Sequence, residues 1–195
     1  MSVARPKRGV ERGFTIVEVM IAIVILGIGI LTVVAAFASA VATTEYAQEN
    51  LIARQKALEA LESIFTARNT QQITFSQIAN LPSGGIFVSG AVPLWSAGND
   101  GLINTADDLP FPAQSVCPAG PECITLPGPD GILGTTDDVA MSLGNFRRQI
   151  QINPVLQSDG SVNPNLKQVI VTVSYTYSST VPRSYSVTAL ISAYR

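Results

Sequence analysis

Two stretches of the chain gather carboxylates in the same order. Asn99 to Asp108 reads NDGLINTADD and Pro129 to Asp138 reads PDGILGTTDD, so Asp100, Asp107 and Asp108 recur further along as Asp130, Asp137 and Asp138. Each stretch sets its aspartates around a turn that glycine permits. Crowded carboxylates repel unless a cation neutralises them, and a hard cation such as Ca2+, which takes about six to eight oxygens, suits this set. The stretches are not EF-hands, because the D-x-D-x-D-G opening and the closing glutamate are missing. Calcium at one or both loops is one expectation. Sodium, or no ion and two solvated Asp-Gly turns chosen for backbone geometry, are the alternatives.

Cys117 and Cys123 stand as C-x5-C in a Pro- and Gly-rich segment, where a short closed loop is feasible. A structural disulfide is expected, which requires an oxidising compartment; two free thiols are the alternative. The spacing is not the C-x-x-C of redox proteins, and two cysteines alone make a poor zinc site. The chain has no histidine. That removes Ser-His-Asp and Cys-His catalysis, His-ligated zinc and imidazole switching. The net charge is -2, and the basic residues cluster only in the first dozen positions. Nucleic acid is therefore not an expected partner.

The elements that would position these groups begin with an abrupt change of polarity. Residues 1–13 carry Arg5, Lys7, Arg8 and Arg12 against Glu11, whereas residues 14–42 are almost wholly apolar, with Glu18 as the one ionisable group. At about 1.5 Å per residue that run exceeds the ~30 Å hydrocarbon core, so it is long enough to span a membrane. It is also too long for a secretory signal peptide, whose apolar region has about 7–15 residues. The basic flank implies a cytoplasmic N-terminus and an exported remainder. A carboxylate at the centre of a spanning helix costs about 2.5–3.5 kcal/mol, less near the interface, and such a group usually marks function.

The segment R-G-F-T-I-V-E, from Arg12 to Glu18, resembles the class III leader of type IV prepilins and pseudopilins. The resemblance implies that a prepilin peptidase cuts between Gly13 and Phe14, that Phe14 becomes an N-methylated terminus, and that Glu18 serves assembly. In such a filament the Phe14 amine of one subunit meets the Glu18 of a neighbour, since an unpaired charge among apolar helices is costly. Ile25 to Leu31, Ala57 to Ile64 and Ser186 to Ser192 look like PilV-type minor pilins. One departure is Ala35, which stands where major pilins carry a helix-interrupting proline; Gly27 and Gly29 offer a weaker flexible point. The spacing of each acidic loop is similar to the calcium loop of the major pseudopilin of type II secretion.

With no proline between Pro6 and Pro82, the apolar helix is expected to continue to about Arg68, some 80 Å by the standard rise. Ala47, Leu51, Leu58, Leu61 and Phe65 define its expected packing face, with Arg54, Lys56, Glu59 and Glu62 largely elsewhere. Beyond residue 70 the helical period is lost, and 80–147 is rich in loop formers. Alternation in Lys167 to Tyr177 predicts a strand, Tyr185 to Ile191 a second, and Ile150 with Ile152 a third. The expected architecture is α+β and pilin-like: a leader over 1–13, a membrane or filament-core helix over 14–42, its amphipathic half over 43–70, and an exported head over 71–195 whose antiparallel sheet packs on the helix.

The expected function is structural and not enzymatic. A minor pilin of a type IV pilus leads, with prepilin peptidase, other pilins and an inner-membrane assembly platform as partners. A type II secretion pseudopilin is the rival within assembly proteins. A filament-tip adhesive subunit using Trp95 and Phe111 as aromatic contacts is the alternative from another class. An exported enzyme would have only the aspartate cluster to work with.

Overall fold

The computed structural model describes residues 13–113, 117–177 and 181–194; the basic leader expected over residues 1–13 lies outside this range except for Gly13. The chain divides into two units, Met1–Glu45 and Tyr46–Arg195. Helix α1, Ile16–Asn69, contributes to both. Its start follows from local chemistry. The Thr15 side chain accepts a hydrogen bond from the Glu18 backbone N–H at 3.2 Å, as an N-cap does, and T-x-x-E is the capping-box pattern. Glu18 also lies in the first turn, where a carboxylate favours the helix dipole.

Within the first unit every described residue of α1 is exposed, and the helix is long and apolar enough to cross a membrane. Its threonine hydroxyls bond to the helix itself: Thr32 donates to the Gly29 carbonyl, Thr43 to Ser39 and Thr44 to Ala40, at 2.8–3.0 Å. Such back-bonding removes the cost of a bare hydroxyl in an apolar medium. Helical structure runs through Gly27, Gly29 and Ala35 without a break.

The second unit contains β1 (Val92–Pro93), β2 (Cys123–Leu126), β3 (Val139–Ser142), β4 (Phe146–Leu156), β5 (Val162–Tyr177) and β6 (Val181–Ser192). Four of these form an antiparallel sheet in the order β1-β4-β5-β6, and β2 with β3 makes a separate hairpin. The three strands expected from alternation lie in β4, β5 and β6. Val169, Val171, Val173 and Tyr175 point inward as the period requires, and all are buried. Phe146 stacks on Tyr175 with ring centroids 5.3 Å apart.

The helix face that packs on this sheet is not the expected one. Ile52, Ala53, Lys56, Ala57, Ala60, Ile64, Ala67 and Arg68 are buried, whereas Leu51 and Leu58 are 64% and 41% exposed and Ala47 is exposed. Leu61 and Phe65 only flank the core. Alanine dominates the buried stripe, and Ala53, Ala57, Ala60 and Ala67 join Ile64, Val169, Val171 and Val173 in one core. Lys56, expected on the polar side, is buried within it.

Candidate functional site

Phe14 is 82% exposed and Glu18 is exposed one turn into α1. Glu18 is the only ionisable group between residues 14 and 42. A methyl group added at Gly13 would meet nothing within 4 Å. The fold itself therefore does not demand glycine there.

The two acidic stretches are structural copies. Ser96 pairs with Leu109 to close residues 97–108, and Leu126 pairs with Val139 to close residues 127–138. Leu102 and Ile132 donate their backbone N–H to Asp100 and Asp130 at 2.8 Å. Asp100 and Asp130 donate theirs to Asp107 and Asp137 at 3.3 Å. The Thr105 and Thr135 hydroxyls donate to the same two carboxylates at 2.8 and 2.6 Å, which is the main reason both carboxyls sit below the usual range. Gly98 and Gly128 match too: a Cβ at either would run into the backbone carbonyl and carboxylate of Asp107 or Asp137. Gly101 and Gly131 both take positive φ, 68° and 71°.

The copies differ in their surroundings. Leu102 is 2% exposed, and Gln72, just past α1, donates to the Asp100 carbonyl. Asn104 is fully buried and accepts from Arg148 Nε at 3.4 Å. Asp108 Oδ1 accepts from Thr105 through backbone and hydroxyl. Burial raises the Asp108 pKa despite these bonds and the charge of Arg148. In the second copy Ile132 and Leu133 are each 61% exposed, and Asp138 Oδ1 is buried with no hydrogen-bond partner among the described residues. No group of three or more acidic or thiol side chains is drawn together as metal ligands among the described residues.

Beneath the first copy lies a buried ionic cluster that the sequence reading did not foresee. Lys56 Nζ contacts Glu122 at 2.6 Å and Glu59 at 2.8 Å. Burial works to lower the Lys56 pKa, but the two carboxylates outweigh it and the net direction is upward. Arg148, 2% exposed, is lowered by burial against the opposing charges of Asp108, Glu59 and Glu122. The available signal was the alternation Phe146, Arg148, Ile150, which places Arg148 on the inward face.

Cys117 and Cys123 form a disulfide with Cα atoms 6.2 Å apart. Cys123 opens β2, and Glu122 beside it is fixed by backbone bonds to Leu94 and Leu143 at 2.8 Å. Trp95 and Phe111 are both half-buried, and Phe111 pairs with Gly120.

Residues 8–38 match the family model of the prokaryotic N-terminal methylation motif, a span that takes in Gly13, Phe14 and Glu18. No curated protein and no solved structure matches the chain. The motif points to a structural subunit, a pilin or pseudopilin, and implies processing by prepilin peptidase and assembly with other pilins. With that motif opening a single long helix, and an antiparallel sheet packed on the helix's second half, the chain is type IV pilin-like.

Proposed function

We propose that this protein is a minor pilin of a type IV pilus. Prepilin peptidase cuts between Gly13 and Phe14, Phe14 is N-methylated, and the helix waits in the inner membrane with its N-terminus cytoplasmic and its head exported. The observation that carries this reading is the matched motif, with one carboxylate, Glu18, in an otherwise apolar exposed helix. A lone acid in that setting needs a positive partner, and cleavage creates one at Phe14 on another subunit. The open surroundings of Gly13 support the same reading, since the requirement for glycine then comes from the peptidase and not from the fold. The capping contact with Thr15 uses the Glu18 backbone N–H and not its carboxylate, so replacing the side chain leaves that contact in place.

Mass spectrometry of the membrane-extracted protein should show a methylated Phe14 at the N-terminus; an intact Met1 in cells with active peptidase counts against the proposal. Glu18→Ala and Glu18→Gln should both leave insertion intact and abolish incorporation into filaments. Wild-type incorporation of either variant would show that the charge pair is dispensable.

A second reading, a type II secretion pseudopilin, is favoured by the acidic loops. There Asp130, Asp137 and Asp138 are the residues that would hold Ca2+, which would neutralise their charge and order the loop. The buried oxygen of Asp138 that lacks a partner supports this for the second copy. In the first copy, with Asp100, Asp107 and Asp108, Arg148 already supplies a positive charge beside Asp108. Melting with calcium and with chelator tests the point: equal midpoints argue against an ion, and a shift should survive Asp100→Asn but not Asp138→Asn.

A further inference from the structure

We infer that the Cys117–Cys123 bond is a redox clasp on the head. Oxidised, it holds the β2–β3 hairpin, and the second acidic loop that the hairpin carries, in place through Glu122 and Lys56. Reduced, it lets that hairpin open while the four-stranded sheet stays folded. The inference goes beyond the filament reading: it concerns how the head responds to its compartment, and it holds for a pilin and a pseudopilin alike.

The hairpin is a weakly held module. β2 and β3 form their own two-stranded sheet, apart from β1-β4-β5-β6. From Cys123 to Ser142 every residue is half-buried or exposed. Its apolar anchorage is the cross-strand pair Ile124 and Met141, half-buried against the core. A two-stranded hairpin is marginal in water by itself, and segments with few buried apolar contacts are the ones that open locally.

The bonds that tie this module to the head are gathered at its base. The Glu122 N–H donates to the Leu94 carbonyl, and the Glu122 carbonyl accepts from the Leu143 N–H, both at 2.8 Å. The Glu122 carboxylate meets Lys56 Nζ at 2.6 Å, on a lysine that is 7% exposed. Cys123, the next residue, is bonded to Cys117, which is 5% exposed. The chain leading into Glu122 has little else to hold it: Pro118 and Pro121 carry no N–H, and Gly120 exchanges backbone bonds with half-buried Phe111. The covalent bond therefore fixes the first residue of the hairpin to a buried point, and Glu122 is carried with it.

A dithiol reductant supplies two electrons and two protons, the S–S bond parts into two thiols, and the reductant becomes a disulfide. The segment then regains conformational freedom. When the hairpin opens, Lys56 keeps Glu59 at 2.8 Å and gains water, so the cation is not stranded and the sheet has no cause to unfold. Because the bond persists only in an oxidising compartment, closure of the hairpin reports that the head has reached one.

The test is hydrogen exchange read by mass spectrometry on the full chain in detergent, oxidised and after reduction with a dithiol. Reduction should speed exchange of the β2 and β3 amides roughly tenfold or more and leave β4 and β5 unchanged. Cys117→Ser combined with Cys123→Ser should show the fast pattern without reductant and no response to it. Glu122→Gln, which keeps the disulfide, should also speed β2 and β3, because opening then admits water to a Lys56 that has lost its nearer carboxylate. Reducing that variant should add less than it adds to wild type, since both changes open the same module. Unchanged β2 and β3 on reduction overturns the inference. Equal acceleration across β4 and β5 overturns it as well, by making the bond a general brace of the head, and a full wild-type response in Glu122→Gln does so by uncoupling the bond from the ion pair. An unprocessed N-terminus at Met1 defeats the filament reading and leaves each of these outcomes as it stands.

Discussion

Replacing Glu122 with Gln is expected to destabilise the head more than replacing Lys56 with Met, although both changes break the same ion pair. The asymmetry follows from where each charge lies. The cations are the deeper members, Lys56 at 7% and Arg148 at 2% exposure, whereas the side chains of Glu122 and Glu59 keep 22% and 51% of their surface. Loss of Glu122 leaves two buried cations facing only Glu59 and Asp108. Stripping a partner from a buried pair costs about 3–5 kcal/mol, and the part-exposure of Glu122 points to the lower end, about 3 kcal/mol. Methionine at position 56 keeps the apolar stem. The carboxylates it leaves behind reach water, so the loss there is about 1 kcal/mol, nearer that of a surface pair. For a unit of this size each kcal/mol moves the melting midpoint by about 2–4 °C, giving drops of roughly 6–12 °C and 2–4 °C. Trp95, the sole tryptophan, is half-buried in the head and reports the transition by fluorescence in the detergent-solubilised chain. The pH dependence has a defined sign. Because the folded Lys56 pKa is raised, its stabilisation is complete below the unfolded value of 10.5 and fades as pH climbs through the folded one. The gap between wild type and Lys56→Met should therefore narrow above pH 10.5. An equal or larger loss for Lys56→Met than for Glu122→Gln would refute the reasoning.

Alanine at Gly98 and at Gly128 meets the same local clash, but only the first loop is docked in the core. Gly98→Ala should cost the head about 1–3 kcal/mol by overpacking, seen as a lower melting midpoint, while Gly128→Ala leaves that midpoint unchanged; equal effects would deny the difference in docking. Asn80 uses its side-chain amide to cap the edge of β4, donating to the Ile150 carbonyl at 2.8 Å and accepting from the Ile152 N–H at 2.9 Å. Asn80→Ala should cost about 1–3 kcal/mol and speed hydrogen exchange at Ile152, and unchanged protection there would show the cap to be dispensable. Thr135→Val should raise the Asp137 pKa toward 3.8 in an NMR titration, since the hydroxyl is its main depressor. The linked stability is present above that value and lost as pH falls below it, so the variant should lose this acid-side term; an unmoved Asp137 would rule out the hydroxyl as the cause.

The fold was legible where one physical signal dominated. Alternating valines named the inward face of β5, and the unbroken run from Phe14 named the apolar half of α1. The packing face of α1 was misread because hydrophobicity ranks Leu51 and Leu58 above alanine, whereas the buried stripe is made of Ala53, Ala57, Ala60 and Ala67 with Ile52 and Ile64. Pattern reading registers how apolar a residue is, not which side of the helix the sheet covers. Lys56 and Arg148 were illegible for a different reason: each is buried only because carboxylates distant in sequence arrive to meet it, Glu122 through the turn that the Cys117–Cys123 bond closes. The doubled aspartates were visible at once, and so was their equal spacing. What spacing could not show is that their oxygens are mostly occupied by N–H and O–H donors of their own loops.

The divergence of the two loops traces to few positions. Asn104 and Gly134 correspond, both with positive φ, 69° and 92°. A left-handed backbone there suits glycine and is tolerated by asparagine, so the second copy has the conformationally easier residue and the first carries a small backbone cost. The first copy gains a partner for it: Asn104 Oδ1 accepts from Nε of the buried Arg148. Glycine at 134 offers no such group. Asn104 thus ties the first loop to the fold, together with Leu102 in the core and the Gln72 bond to the Asp100 carbonyl.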